Sequence, residues 1–275
     1  MEQRLLDEKG VIPYVHGGLG NQLFIVSAAF VVHKELNIPL YIFDAPYTHH
    51  NVLRNNYNKT IFKFFGIHTD FNLSNEKSLG NYSYDTNIGV PQAFSPWNSK
   101  HLKPGVIMKG YYQFYPALKP YEDEIREKVL KGLNPVSSYT GSAFLHVRRG
   151  DFMTNPAFLV LEEDYYKRAT DLLLKLNPNI KKILIISADL DWVKSKELFK
   201  QAIFTIINEP NELDSLAIMS QASEGAIMAN STFSWWGAFL GAHARRNPVI
   251  VPSTWMRSMK PVSLFPEEWH IIRDI

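Results

Sequence analysis

The sequence predicts an α/β protein, and three observations carry that reading. The chain opens on an apolar segment, a run of glycines, a helical repeat and a second apolar segment, the order of a βαβ unit. Its second half alternates short apolar runs with amphipathic ones. One of them, Lys-Ile-Leu-Ile-Ile-Ser at 182–187, has an uninterrupted apolar centre, as a strand buried on both faces requires. The length, 275 residues, gives room for one large or two modest domains of this kind.

In the first half, Val11–Val15 reads as a short strand, with Pro13 placing it at an edge or a strand start because proline cannot donate to a ladder. Gly17, Gly18 and Gly20 then make a loop whose backbone can approach a ligand closely. The spacing Gly-Gly-x-Gly-Asn differs from the Gly-x-Gly-x-x-Gly of dinucleotide sites. Leu23, Phe24, Ala28, Val31, Val32 and Leu36 recur at helical spacing and stop before Asn37, and Pro39–Phe43 reads as the next strand. From Tyr47 to Lys109 the sequence is rich in Asn, His, Tyr and Ser, with a mixed apolar cluster at Ile61–Phe65. Long loops over a small sheet are expected there. Exposed aromatics in them could hold a sugar face, although core packing accounts for each one taken singly. Glu122, Asp123 and Glu124 enrich the first turn of a helix over Tyr121–Leu130, which Gly132 to Pro135 should end. Ser137–Gly141 reads as a linker, so the expected domains are 1–140 and 141–275.

In the second half, strands are expected at Ala143–Val147, Lys182–Ser187, Ile203–Ile207, Gly225–Ala229 and Pro248–Val251. Helices should fill Glu162–Leu176, a segment opening at Asp189, Leu213–Ala222 and Ser231–His243. On the first of these, Tyr166, Ala169, Leu172, Leu173 and Leu176 share a side. The result is a doubly wound domain.

Composition narrows the function. Lysine and arginine number 29 against 27 acidic residues, a balance that argues against nucleic acid or a membrane surface as partner. There is no cysteine, which excludes disulfides and thiolate metal sites. The longest apolar stretch, near Leu23–Val32, is too short to span a bilayer, and no cleavable signal precedes it. A cytoplasmic protein without a transmembrane segment is expected.

Two stretches carry the chemistry. His146-Val147-Arg148-Arg149-Gly150-Asp151 follows the apolar run Ala143-Phe144-Leu145, so two guanidiniums, a glycine and a carboxylate fall at the end of a strand. Open parallel sheets bind ligands there, and a guanidinium offers phosphate oxygens a planar fork of donors. The reading is that Arg148 grips a diphosphate; a surface arginine pair bridged to an aspartate is the alternative for the stretch in isolation. The second stretch, Asn230-Ser231-Thr232-Phe233-Ser234-Trp235-Trp236-Gly237, starts where a strand gives way to a helix. Ser231 or Thr232 can cap that helix, and their hydroxyls with the first free N–H groups form an anion site. A well-capped helix packing two tryptophans is the plainer alternative.

Six segments occur together and in order: Gly-Gly-Leu-Gly-Asn-Gln-Leu-Phe (17–24), Gly-Tyr-Tyr-Gln (110–113), His-Val-Arg-Arg-Gly-Asp (146–151), Tyr-Tyr-Lys-Arg-Ala (165–169), Ser-Ala-Asp (187–189) and Ala-Asn-Ser-Thr-Phe-Ser-Trp-Trp-Gly-Ala (229–238). The series resembles the α-1,2-fucosyltransferases of glycosyltransferase family 11, of the soluble microbial type, from about Val15 to Pro252. The resemblance implies a GT-B-like architecture, two Rossmann-type halves flanking a cleft, with GDP-fucose held by the C-terminal half. It implies no divalent metal and no cofactor beyond that co-substrate. Asp189-Leu-Asp191 has a metal-type spacing but opens a helix and matches the family's nucleotide-contacting segment. The implied donor-binding residues are His146, Arg149, Asp189, Asn230, Ser231, Thr232 and Phe233, with Gly18 and Gly20 of the glycine loop. Arg148 is implied at the diphosphate, and Asn21 resembles an asparagine that reaches the donor.

The implied reaction moves L-fucose to the 2-hydroxyl of a terminal galactose on a glycan acceptor with inversion, hence by single displacement. Charge builds on the leaving phosphate, so a fixed guanidinium and helix N–H groups suit it. A base should take the acceptor's proton. Asp151 is one candidate, though it can equally brace the arginine turn; His16, where the family commonly has an apolar residue, is another. The sequence departs from the family pattern at Ile25-Val26-Ser27 and in Tyr112 and Phe114, both in the acceptor half. Transfer of another deoxysugar, and a binding protein without catalysis, are the competing readings.

Overall fold

The computed structural model of the chain describes residues 9–43, 57–69, 82–87, 94–134, 139–208, 211–257 and 263–273. The chain forms two compact units, Met1–Leu133 with Val262–Leu264, and Asn134–Pro261 with Phe265–Ile275. The α/β class holds: both units are built on parallel strands. Of the expected linker, residues 137 and 138 lie outside the described residues, as does Pro135.

The first unit contains β1 (Val11–Pro13), α1 (Leu19–Leu36), β2 (Tyr41–Phe43), β3 (Ile67–Thr69), β4 (Ser83–Asn87), β5 (Val106–Gly110) and α2 (Glu122–Lys131). β5 lies between β1 and β4, and β2 pairs with β3, all in parallel. A bridge from Val11 to Leu40, with the Val11 N–H donating to the Pro39 carbonyl at 2.8 Å, sets the β2 side against β1. The order therefore runs β3-β2-β1-β5-β4 and reverses direction between β1 and β5.

α1 is apolar on all sides and is correspondingly buried. From Leu19 to Val32 each residue is buried except Asn21. Its end is set by Asn37, whose left-handed backbone (φ 52°) closes the last turn. Its start corrects the expected loop. Leu19 is drawn into the core, so the helix begins within the glycine run, Gly18 is the N-cap, and Gly20 is a buried helical residue rather than a loop residue. Gly132 also has a different reason from the one expected. Its φ is −89°, so no left-handed turn requires it, but a Cβ there would lie 2.5 Å from the Ile61 Cα. Between Tyr47 and Lys109, where loops over a small sheet were expected, β3, β4 and most of β5 form; residues 44–56, 70–81 and 88–93 lie outside the described residues.

The second unit follows its expected alternation closely: β6 (Ala143–Val147), α3 (Glu163–Leu176), β7 (Ile183–Ser187), α4 (Leu190–Ser195), β8 (Phe204–Ile207), α5 (Glu212–Gln221), β9 (Ala226–Ile227), α6 (Thr232–Leu240), β10 (Val249–Pro252) and β11 (His270–Ile272). The last strand was not expected. All five neighbouring pairs are parallel, in the order β8-β7-β6-β9-β10-β11. Renumbered from β6, this is 3-2-1-4-5-6, the order of a dinucleotide-type doubly wound sheet. Tyr165, Tyr166, Ala169 and Leu173 of α3 pack on Ile183, Ile185, Ile227 and Ile250 of the sheet. Leu176, expected on that same face, is exposed at the helix end. The order reverses between β6 and β9, so the crevice for a ligand lies beyond their carboxyl ends.

Candidate functional site

Beyond β6 the chain must turn away from the sheet, and Gly150 makes the turn. Its φ is +42° with nothing within 4 Å of a would-be Cβ, so backbone conformation and not space selects glycine. The turn sends the two arginines apart. Arg148 lies over the Phe152 ring, 5.3 Å from its centroid, and donates to Asp151 Oδ1 at 2.7 Å while remaining partly open to solvent. Phe152 is itself stacked on Phe158, with centroids 4.0 Å apart. Asp151 thus braces Arg148 directly. Arg149 is buried. Its guanidinium covers Trp192 at 4.4 Å, donates to Glu162 at 3.3 Å, and its Nε lies 3.2 Å from Asp189 Oδ2. Asp189 is the N-cap of α4, accepting from the Trp192 N–H at 3.1 Å. Both Asp189 oxygens therefore have partners inside the protein, and Arg149 is part of the frame that holds that carboxylate at the end of β7.

Across the order reversal, the segment after β9 is tied down from several directions. Tyr165 donates to the Met228 carbonyl at 2.6 Å, and Asn230 Nδ2 donates to the Leu159 and Trp255 carbonyls, both at 2.9 Å. Ser231 is the N-cap of α6 and accepts from the Phe233 N–H at 3.3 Å, which decides between the two capping hydroxyls; Thr232 is the first helical residue. Phe233 meets His146 edge to face at 5.7 Å. His146 is buried, and burial together with the Arg148 guanidinium lowers its pKa to about 3, so the imidazole is neutral.

The expected donor-binding residues of the second unit therefore meet at one place. Several of their polar atoms lack a hydrogen bond among the described residues. His146 Nδ1, Arg148 Nε, Arg149 Nε and Asn230 Oδ1 are buried without a hydrogen-bond partner among the described residues, although the Arg149 atom has its ion-pair contact with Asp189. Leaving a buried polar group unsatisfied costs about 1–3 kcal/mol, and the three others, on His146, Arg148 and Asn230, mark a place organised for a polar ligand. A diphosphate could take the guanidinium of Arg148 and the free N–H groups at the start of α6. Glu162, Phe152 and Trp192 were missed from the sequence. Phe152 borders the arginine motif, while nothing in the sequence marks Glu162.

In the first unit, the residues of interest gather at the reversal between β1 and β5. Gly17 has φ +79°, and a Cβ on it would come 2.9 Å from Asn21 Nδ2, so glycine leaves room for that amide. Gln113 donates to Asn21 Oδ1 at 3.0 Å and so sets which way the amide faces; Gln22 pins the turn through the Gly17 carbonyl at 2.9 Å. Gln113 follows Tyr112, a buried residue held in left-handed backbone (φ 49°) whose hydroxyl donates to the Asp85 carboxylate at 2.7 Å. Gln113 was visible as part of a motif, yet its role in orienting Asn21 was not. His16 lies beside the same turn, 4.8 Å from the Tyr111 ring. Gly18, expected at the donor, is the partly open N-cap of α1. Among the described residues no group of three or more His, Asp or Glu could hold a metal ion, and no helix is long and apolar enough to cross a membrane.

The family model for glycosyl transferase family 11 matches residues 104–273. The O-antigen biosynthesis glycosyltransferase WbnK of Escherichia coli is 25% identical over 296 residues, covering 92% of this chain and 97% of the relative. An α-1,2-colitosyltransferase of Escherichia coli is 26% identical over 287 residues, covering 94% and 97%. Among solved structures, the α-1,6-fucosyltransferase NodZ soaked with GDP-fucose superposes with a TM-score of 0.47 at 11% identity, covering 85% of this chain and 93% of that one. NodZ from Bradyrhizobium gives 0.48 at 10% identity, with the same coverage.

Proposed function

Because the chain belongs to glycosyl transferase family 11, we propose that it moves L-fucose from GDP-β-L-fucose to the 2-hydroxyl of a terminal galactose on a glycan. The observation that carries the nucleotide-sugar reading is the meeting of Arg148, His146 and the start of α6 at the order reversal of the second unit, with buried polar atoms left unpaired. In the proposed complex, Arg148 and the N–H groups of α6 bind the diphosphate. Both interactions strengthen as the bond to the anomeric carbon breaks and charge moves onto the phosphate. Asp151 keeps Arg148 aimed. His146, neutral at working pH, offers Nδ1 to the base as a hydrogen-bonding group and not as a charge. Arg149 and Asp189 shape the wall of the same crevice.

The relative that is an α-1,2-colitosyltransferase favours a second reading, in which colitose takes the place of fucose. One experiment separates the two. The protein is incubated with GDP-fucose or GDP-colitose and lactose, and the products are weighed by mass spectrometry and their linkage read by NMR. Fucosyl-lactose with a 2-linked galactose supports the first reading. Product only from GDP-colitose supports the second, and no product from either removes both.

A further inference from the structure

We infer that Phe152, with Phe158 behind it, is a positioning residue for the transfer: its ring is a seat that holds the Arg148 guanidinium where the fork meets the leaving diphosphate. The inference rests on the glycosyltransferase reading and deepens it. Every residue it uses belongs to the second unit. Aiming a planar fork takes two constraints, because a single hydrogen bond leaves the plane free to swing about it. Asp151 supplies the first, with its Oδ1 at 2.7 Å from Arg148 Nη2. Phe152 supplies the second, with Arg148 Cζ over its ring at 5.3 Å from the centroid. The negative face of an aromatic ring attracts the cation, and it holds no oxygen that would compete with phosphate for the N–H groups. Arg148 Nε has no hydrogen-bond partner among the described residues.

The seat is itself held. Phe158 stacks on Phe152 at 4.0 Å with 6° between the planes, so with the guanidinium on the other face neither face is left for a sugar. Phe152 is buried, and it acts on substrate only through Arg148. Its backbone N–H donates to the Arg149 carbonyl at 2.8 Å, which ties the ring to the turn at Gly150. Behind it, the Phe158 carbonyl accepts from Arg257 Nε at 3.1 Å, and the carbonyl of the next residue, Leu159, accepts from Asn230 Nδ2 at 2.9 Å. Asn230 directly precedes Ser231, the N-cap of α6. The base of the stack is thus pinned to the segment whose N–H groups take the same diphosphate in the proposed complex. Guanidinium and helix N–H groups keep their spacing without reorganising as charge moves onto the phosphate.

The test is a double-mutant cycle in steady-state kinetics, with GDP affinity measured by calorimetry. Phe152→Leu keeps an apolar side chain and loses the charge distribution of the ring. It should lower kcat roughly tenfold, the scale of one cation–π contact, and change GDP affinity less. Phe152→Tyr keeps the ring and should retain most of kcat. In an Arg148→Ala background Phe152→Leu should have no further effect, since the seat then has nothing to hold. Wild-type kcat in Phe152→Leu, an equal loss in GDP affinity, no rescue by tyrosine, or the same loss in the Arg148→Ala background overturns the proposal and leaves the glycosyltransferase reading in place. Should Phe152→Leu not fold, pentafluorophenylalanine at position 152 decides. It keeps the ring and reverses its charge distribution, so kcat should fall while the stack on Phe158 maintains Tm. An unchanged kcat there contradicts the seat. No sugar transfer by wild type from any nucleotide donor defeats the underlying reading instead, and the proposal with it.

Discussion

At the scale of the residue, the two adjacent arginines show how little neighbouring positions need share. Sequence could place a guanidinium at the end of β6 and assign Arg148 to a diphosphate but could not say what would hold Arg149, because that depends on Trp192, Asp189 and Glu162, none of them adjacent in the chain. Arg149→Ala should lower stability by about 2 kcal/mol in urea unfolding, less than the 3–5 of a fully buried pair because both carboxylates reach solvent. His146 gives a second expectation. Its folded pKa, about 3, lies below the ordinary 6.5, so between those values the unfolded chain binds the extra proton. The contribution of His146 to stability is full above pH 6.5 and is lost as pH falls towards 3, at about 1.4 kcal/mol per pH unit. His146→Phe should flatten the fall of Tm with acid over that window; an unchanged slope would show that the imidazole is not the group responsible.

At the scale of the element, legibility followed burial. The strands of the second unit were readable because β7 opens on four apolar residues and α3, before it, has one buried face and one wet face. β4, with the sequence Ser-Tyr-Asp-Thr-Asn, and β11, half exposed, lie at sheet edges among the described residues, and neither carries a clear apolar pattern. α1 is apolar all round, which hid its true start at Leu19. The helix that opens on the crevice, α6, offers two tests. Ser231→Ala should cost about 1 kcal/mol through the lost cap and should weaken GDP binding as well. A Cβ at Gly237 would lie 2.7 Å from Met219 Sδ and 2.8 Å from its Cβ, so Gly237→Ala should push α6 off α5 and cost about 1–3 kcal/mol. A thermal melt as high as wild type would show that the two helices yield without strain.

At the scale of the whole molecule, the same arrangement recurs in each unit. The segments singled out in the sequence lie where strand order reverses, β1 with β5 in one and β6 with β9 in the other. Those segments are far apart along the chain, and parallel pairing is what brings their ends side by side. This explains why the site was legible as a list of motifs before it was legible as a place. With guanidinium and helix N–H groups in the role a divalent ion could fill, sugar transfer should persist in excess EDTA; full loss, restored by magnesium or manganese, would contradict that assignment. Steady-state kinetics of Arg148→Lys tests most directly whether Arg148 holds the leaving diphosphate. Lysine keeps the charge and loses the fork, and the interaction should grow towards the transition state. With the fold confirmed by circular dichroism, kcat should fall roughly a hundredfold or more while GDP affinity changes far less. A kcat near that of wild type would show that Arg148 does not hold the leaving diphosphate.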